Sequence, residues 1–195
     1  MPHGPDELEQ NLELRDELVE QLGSASRRVR QDAAHGLCQL AKRDASIVAG
    51  EADALVRALG RPEAQTRWEC LDALAAVAAE DPQSVGAAFE GAEESLFDDT
   101  SSSARLAAFR FLASYGATSP ERSREAWPLI NEAVQCYHGD PEYRKMLLCL
   151  LDFAHGNVAD DVRDELFKRM AYDAKNGRGF IRAYSTEIRS AAKGE

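Results

Sequence analysis

The stretch "TRWECLDALAAVAAED" at residues 66–81 decides the fold of this chain, because it recurs in altered form on both sides. "VRQDAAHGLCQLAKRD" begins 37 residues earlier, at 29, and "ARLAAFRFLASYGATS" begins 38 residues later, at 104. In each stretch an arginine is followed by apolar residues three, four and seven positions on. Those positions lie on one face of an α-helix, so the pattern predicts one amphipathic helix per repeat.

The same arginine marks five repeats along the chain, with spacings of 37, 38, 39 and 38 residues. The five are Arg30, Arg67, Arg105, Arg144 and Arg182. Short breakers such as "GSAS" and "GRPE" precede them, and each breaker follows a further helical segment. The chain therefore predicts five helix–turn–helix units, at about 6–43, 44–80, 81–118, 119–156 and 157–193.

A two-helix unit of this size buries its apolar face only by stacking on its neighbours. We therefore predict an all-α, right-handed α-solenoid of about five stacked units, forming a single domain over residues 1–195. Each recurring arginine is expected near the start of a second helix. Its apolar stem would pack there, and its head would reach acceptors in the neighbouring unit, so the five arginines are predicted to form a structural ladder.

The repeat resembles the HEAT family in its spacing near 38, in the dipeptide ending in arginine and in the Ala- and Leu-rich face that follows. The resemblance covers nearly the whole chain, and Pro128 fits it because HEAT first helices are often kinked at proline. The family's usual aspartate before the arginine has matches at Asp98, Asp99 and Asp140, while the first two turns lack it. The resemblance implies that second helices line a concave, partner-binding surface.

Composition narrows the classes of function. No stretch of 18 consecutive apolar residues is present, and the opening "MPHGPDELEQ" has neither the basic start nor the apolar run of a secretory signal. The four cysteines are far apart and lie mostly in helical patterns, which favours buried, reduced thiols. A net charge of −11 argues against non-specific binding to nucleic acid or anionic lipid. We expect a cytoplasmic protein.

Apolar side chains also occupy second-helix positions where a solvated face would carry charge. Six of them are predicted to bind a partner in an apolar groove: Trp68, Leu106, Phe111, Met146, Leu150 and Phe153. The alternative is that tight stacking buries these side chains. The basic cluster "RRVR" at 27–30 could hold phosphates, but it includes a ladder arginine and is more simply structural.

No catalytic or metal-binding constellation emerges from the sequence. Cys136 and His138 form an isolated pair beside a turn, where a metal site would need two more ligands. We therefore expect that the protein is not an enzyme and binds neither a cofactor nor a metal ion. The leading interpretation is a non-enzymatic scaffold that binds a protein or peptide on its concave face, with Trp68 and Phe111 as aromatic anchors.

A second class of function stays open, that of a HEAT-like DNA-binding or DNA-repair protein of the glycosylase type. Trp68, Asp72 and Arg110 are spaced plausibly for it on second helices. The acidic balance counts against it, because phosphate neutralisation needs a basic groove. Pairing of two copies through an end unit is a further possibility that the sequence leaves untested.

Overall fold

The computed structural model describes residues 5–194, with side chains from Gln10 onward. Residues 1–4, and the side chains of residues 5–9, lie outside this description. Every regular element in the described range is helical, so the all-α prediction is confirmed. The elements are α1 Pro5–Leu22, α2 Arg27–Arg43, α3 Ser46–Ala49, α4 Ala52–Leu59, α5 Ala64–Glu80, the 3₁₀ helix η1 Gly86–Ala88, α6 Phe89–Leu96, α7 Ser102–Gly116, α8 Pro120–Cys136, α9 Tyr143–His155, α10 Asp160–Arg169, α11 Ala171–Asn176 and α12 Gly179–Lys193.

The second helix of each predicted unit forms as the arginine pattern indicates, as α2, α5, α7, α9 and α12. Local capping supports two of the helix starts. Ser26 begins α2 by accepting a hydrogen bond from the backbone N–H of Val29. Ser119 begins α8 in the same way, accepting from the N–H of Arg122 at 3.2 Å, and Pro120 occupies the first helical position.

The first helices depart from the simple two-helix unit. They are continuous in the first and fourth units, where Pro128 lies exposed within α8. In the second, third and fifth units they are divided, into α3 and α4, η1 and α6, and α10 and α11. Gly50 ends α3, and Pro82 and Gly86 delay the start of α6, as weak helix formers should. No sequence breaker marks the division after Arg169.

The chain divides into two compact parts, Met1–Ala108 and Phe109–Glu195, and each is described by itself below. In the first, α2 packs against α1 and α5, and Leu37, Leu55 and Leu71 are fully buried. In the second, α9 packs against α12, and Phe153 stacks on Trp127 with ring centres 6.4 Å apart. The expectation of a single domain stays a prediction.

Candidate interaction surface

The six predicted partner-binding residues differ in exposure. Phe111, Met146, Leu150 and Phe153 are fully buried, and Leu106 is 9% exposed. Trp68 is half-buried. Five of these side chains therefore lie in the core, as the alternative interpretation expected. The Trp68 side chain remains partly exposed.

The position of the exposed face explains this result. In α2 the residues one, five, nine and twelve places after Arg30 are exposed or half-buried: Gln31, His35, Gln39 and Lys42. The matching residues of α5, counted from Arg67, are Trp68, Asp72, Ala76 and Ala79. At about 100° per residue, these positions form an arc of about 80°. The buried arc is wide because a stacked helix packs against several neighbours.

The predicted register is off by one residue in α9 and α12. Counted from Tyr143, the residues one, five, nine and twelve places on are exposed: Arg144, Leu148, Asp152 and His155. Counted from Ile181, the corresponding residues are exposed or half-buried: Arg182, Thr186, Ser190 and Lys193. Tyr143 and Ile181 therefore take the ladder position of the fourth and fifth units, and the repeat spacing after Arg105 becomes 38 and 38. This shift places Met146, Leu150 and Phe153 in the core.

The first rung of the arginine ladder is a buried ion pair between successive units. Nη1 of Arg30 donates to the carbonyl oxygens of Ser24 at 2.8 Å and Ala25 at 3.0 Å. Its Nη2 donates to the carboxylate of Glu63, at the N-terminus of α5. Both side chains are buried, so the guanidinium ties the turn before its own helix to the turn before the next one.

The second rung repeats this arrangement with a different acid. Arg67 donates to the carbonyl oxygens of Arg61 and Pro62, and its Nη2 pairs with the carboxylate of Asp98. Hydrogen bonds from Thr100, together with Arg67, hold the pKa of Asp98 below its ordinary value. Arg105 in turn donates to the carbonyl oxygen of Asp98 at 2.9 Å.

Glu63 is the functional residue of this ladder that sequence reasoning missed. The first two turns lack the aspartate that is usual in HEAT repeats. Glu63 takes that role with its longer side chain. The available signal was a carboxylate in the breaker that precedes Arg67, whichever acid supplied it.

Arg144 and Arg182 lie on the surface instead of in the ladder. Arg144 is exposed, and its Nη2 lies 3.5 Å from the Tyr184 hydroxyl that accepts its hydrogen bond. Arg182 is also exposed. The one-residue shift accounts for both, and the turn before α12, "GRG" at 177–179, offers no carboxylate that could form a rung.

On the first compact part, polar side chains of α2 contact carboxylates of α5. Nδ1 of His35 lies 2.9 Å from Oε1 of Glu69, and Nζ of Lys42 lies 2.9 Å from Oδ2 of Asp72. Trp68 directly precedes Glu69 on α5, nearer the start of the helix. This face is therefore polar and charge-paired, with one aromatic ring on it.

On the second compact part, exposed apolar and aromatic side chains lie on α9 and α12. Leu148 is 40% exposed and Phe180 is 39% exposed. The guanidinium of Arg144 lies 5.9 Å from the centre of the Phe180 ring, which is 6.5 Å from the Tyr184 ring. We call these four residues the α9–α12 patch. Three further exposed cations lie on or next to the same helices: Lys145, Arg178 and Arg182.

The formal charge is distributed unevenly. The first compact part contains 21 acidic and 10 basic residues, and the second contains 13 of each. The residues proposed for base repair belong to different compact parts, Trp68 and Asp72 to the first and Arg110 to the second. Asp72 is paired with Lys42.

Among the described side chains, from Gln10 onward, no group of three or more His, Cys, Asp or Glu residues could hold a metal ion. His138 pairs instead with the carboxylate of Asp173 at 3.1 Å. None of the described helices combines the length and the apolar character that crossing a membrane requires.

Comparison with known proteins identifies the fold. No protein-family model and no curated protein matches the chain. Solved structures of engineered helical proteins do match. A designed armadillo repeat protein in complex with the peptide (KR)4 has a TM-score of 0.77 and 18% identity, and the match covers 97% of this chain and 87% of that one.

Two more structures agree with that match. An engineered protein from a structural genomics consortium has a TM-score of 0.75 and 17% identity over 98% of this chain and 85% of its own. A computationally designed armadillo repeat protein for modular peptide recognition has a TM-score of 0.73 and 18% identity, over 96% and 87%. At this identity the likeness shows the fold alone, which is an α-solenoid of helical repeats. Membership of the HEAT family stays a prediction.

Proposed function

We propose that this chain is a non-enzymatic interaction module that binds a protein or peptide segment on the exposed arcs of its second helices. The observation that carries the proposal is the α9–α12 patch. Leu148 and Phe180 each expose more than a third of their surface. Exposed apolar side chains that form a patch on a solvent-facing helix surface are typical of binding surfaces.

The chemistry of the patch defines the segment that it fits. The guanidinium of Arg144 lies against the Phe180 ring, and the exposed cations Lys145, Arg178 and Arg182 lie on or next to the same helices. Desolvated arginine and aromatic side chains are the residue types that dominate binding energy. The proposed partner segment therefore carries apolar anchors for Leu148 and Phe180, and flanking carboxylates for the cations.

Two features support an extended segment as the partner. One of the similar solved structures, a designed armadillo repeat protein, is in complex with the peptide (KR)4. Within the second compact part of this chain, exposed side chains also continue along α9 as far as His155 and along α12 as far as Lys193. The charge of the α9–α12 patch is opposite to what a basic peptide needs, so we propose an acidic segment there.

The test selects peptides from a random displayed library against the full chain and measures their affinity by fluorescence anisotropy. We expect the enriched peptides to combine acidic and apolar residues, and the peptide (KR)4 to bind more weakly to the patch. In the double variant Leu148→Ser, Phe180→Ala the Kd should rise about tenfold or more, as loss of central contacts does. Leu14→Ser is the matched control, because Leu14 is an exposed leucine on α1.

Two outcomes would contradict the proposal. One is a selected peptide that binds the double variant as well as it binds the original chain. The other is an equal loss of affinity in Leu14→Ser, which would indicate non-specific apolar binding.

A labelled DNA duplex at low salt serves as the third probe. We expect no binding, because the first compact part carries eleven more acidic than basic residues.

A further inference from the structure

A cavity in the second compact part has a mainly apolar lining with a few polar groups. It lies between the end of α8, the first residue of α9 and the junction of α10 with α11. Its volume is about 340 Å³, which is within the range of small-ligand sites. Val134 and Met170 supply apolar wall, and Tyr143 and Arg169 supply polar groups.

Two buried polar atoms of this lining have no hydrogen-bond partner. One is the hydroxyl oxygen of Tyr143, a residue with no exposed surface, and the other is Nε of Arg169. A buried donor without a partner costs free energy, so such atoms call for a ligand or solvent. Burial raises the pKa of Tyr143, as does the nearby Asp173, and its hydroxyl therefore remains a neutral donor.

Arg169 also differs from the ladder arginines in its partners. Its Nη2 donates to the carbonyl oxygen of Asn131 at 3.1 Å and to Oε1 of Gln135 at 3.0 Å. Both acceptors are neutral, and no carboxylate pairs with this guanidinium in the described part of the chain. Arg30 and Arg67, in contrast, each pair with an acid. A half-buried cation without a counter-ion attracts an anion to the cavity that it lines.

The one carboxylate of the lining is already engaged. Asp173 accepts at 3.1 and 3.2 Å from Nε2 of His138 when that nitrogen carries the proton. The His138 ring lies 4.9 Å from the Tyr143 ring, so the pair forms one wall of the cavity. This leaves the hydroxyl of Tyr143 and the Nε–H of Arg169 as the donors that are not satisfied.

We propose that this cavity binds a carboxylate carried on a small aromatic or aliphatic body. The Tyr143 hydroxyl and the Arg169 Nε–H donate to the carboxylate oxygens, and the apolar body lies against Val134 and Met170. A guanidinium matches a carboxylate in geometry as well as in charge. This inference rests on the cavity alone and is independent of the interaction module proposed above.

The experiment titrates the full chain with benzoate and with benzamide, its neutral counterpart, and follows binding by calorimetry or by NMR. We expect benzoate to bind at least about tenfold more tightly than benzamide. Tyr143→Phe removes only the unpartnered hydroxyl, and it should weaken benzoate by a similar factor while the thermal stability is kept. Tyr115→Phe is the matched control, because Tyr115 is a nearly buried tyrosine outside this cavity.

A second arm identifies the source of the carboxylate. A short peptide that ends in phenylalanine is compared with the same peptide carrying a C-terminal amide. Binding of the free acid form of the peptide assigns the site to chain termini, and binding of benzoate alone assigns it to small organic acids. The proposal is overturned if neither carboxylate binds, if benzamide binds equally well, or if Tyr143→Phe leaves the affinity for benzoate unchanged, since the cavity would then hold only solvent.

Discussion

The buried pair between Arg30 and Glu63 makes a quantitative prediction about how the units are held together. The perturbation is Glu63→Leu, which introduces an apolar side chain of similar volume and removes the carboxylate that pairs with the Arg30 guanidinium. Arg30 is 9% exposed and Glu63 is 6% exposed, so water replaces little of the lost contact.

The magnitude follows from what the substitution leaves behind. Breaking a buried ion pair on one side costs about 3–5 kcal/mol, because the remaining charge is desolvated and uncompensated. Arg30 keeps its two bonds to the carbonyl oxygens of Ser24 and Ala25, which lowers this cost. We therefore expect Glu63→Leu to reduce the free energy of unfolding by about 3 kcal/mol.

The double variant tests the mechanism behind that value. Arg30→Met together with Glu63→Leu leaves no buried charge, although two carbonyl groups lose their donor. It should cost about 1–2 kcal/mol, which is less than Glu63→Leu alone. Urea unfolding followed by circular dichroism supplies the four free energies of the cycle.

Arg124→Ala provides the control, because the pair of Arg124 with Asp161 is exposed, with 53% and 59% of the two side chains accessible. We expect no measurable change from it. The reasoning is refuted if the double variant is destabilised by the sum of its two single changes, because the two charges would then act independently of each other.

Three further predictions rest on other parts of the molecule. Gly156→Ala should destabilise the chain by about 2 kcal/mol or more in thermal unfolding, because its Cβ would lie 2.6 Å from a backbone carbonyl oxygen, whereas Gly50→Ala has open space and should be neutral or slightly stabilising. The lowered pKa of Asp98 contributes stability that is complete above the ordinary aspartate pKa and is lost as the pH falls through the folded value, so Asp98→Asn should flatten the loss of stability below about pH 4 in acid titrations followed by circular dichroism. A thiol reagent should modify the exposed Cys136 rapidly in the native protein, and the buried Cys70, whose pKa burial raises, only on unfolding; rapid labelling that persists in Cys136→Ser would contradict this.

Much of the architecture follows from the sequence because helical periodicity is a local property. Apolar residues three, four and seven places after Arg30 and Arg67 predict the second helices, and those residues are buried in α2 and α5. Arginine before an apolar helix also indicates a side chain that reaches back to the turn. The observed bonds of Arg30 and Arg67 to turn carbonyl oxygens follow from that placement.

The exact register of the later units does not follow from the sequence, because it depends on which of two adjacent residues the neighbouring helices cover. Arg144 matched the repeat by residue type, yet Tyr143 is the buried residue there. A shift of one residue rotates a helix face by about 100°. That rotation moves Phe153, which the sequence pattern assigned to a partner-binding surface, into the core, and it brings Leu148 to the surface.

The candidate sites could not be predicted from the sequence for the same reason, because they depend on tertiary contacts. Glu63 lies 33 residues from Arg30, and Arg169 lies in a different helix from Tyr143. No local spacing shows that either pair meets, or that Arg169 lacks a carboxylate. The sequence by itself determined the helices and their repeat, since these depend on residues a few positions apart. Only the packing of one helix on the next decided which side chains remain exposed, because burial depends on all the surfaces that meet.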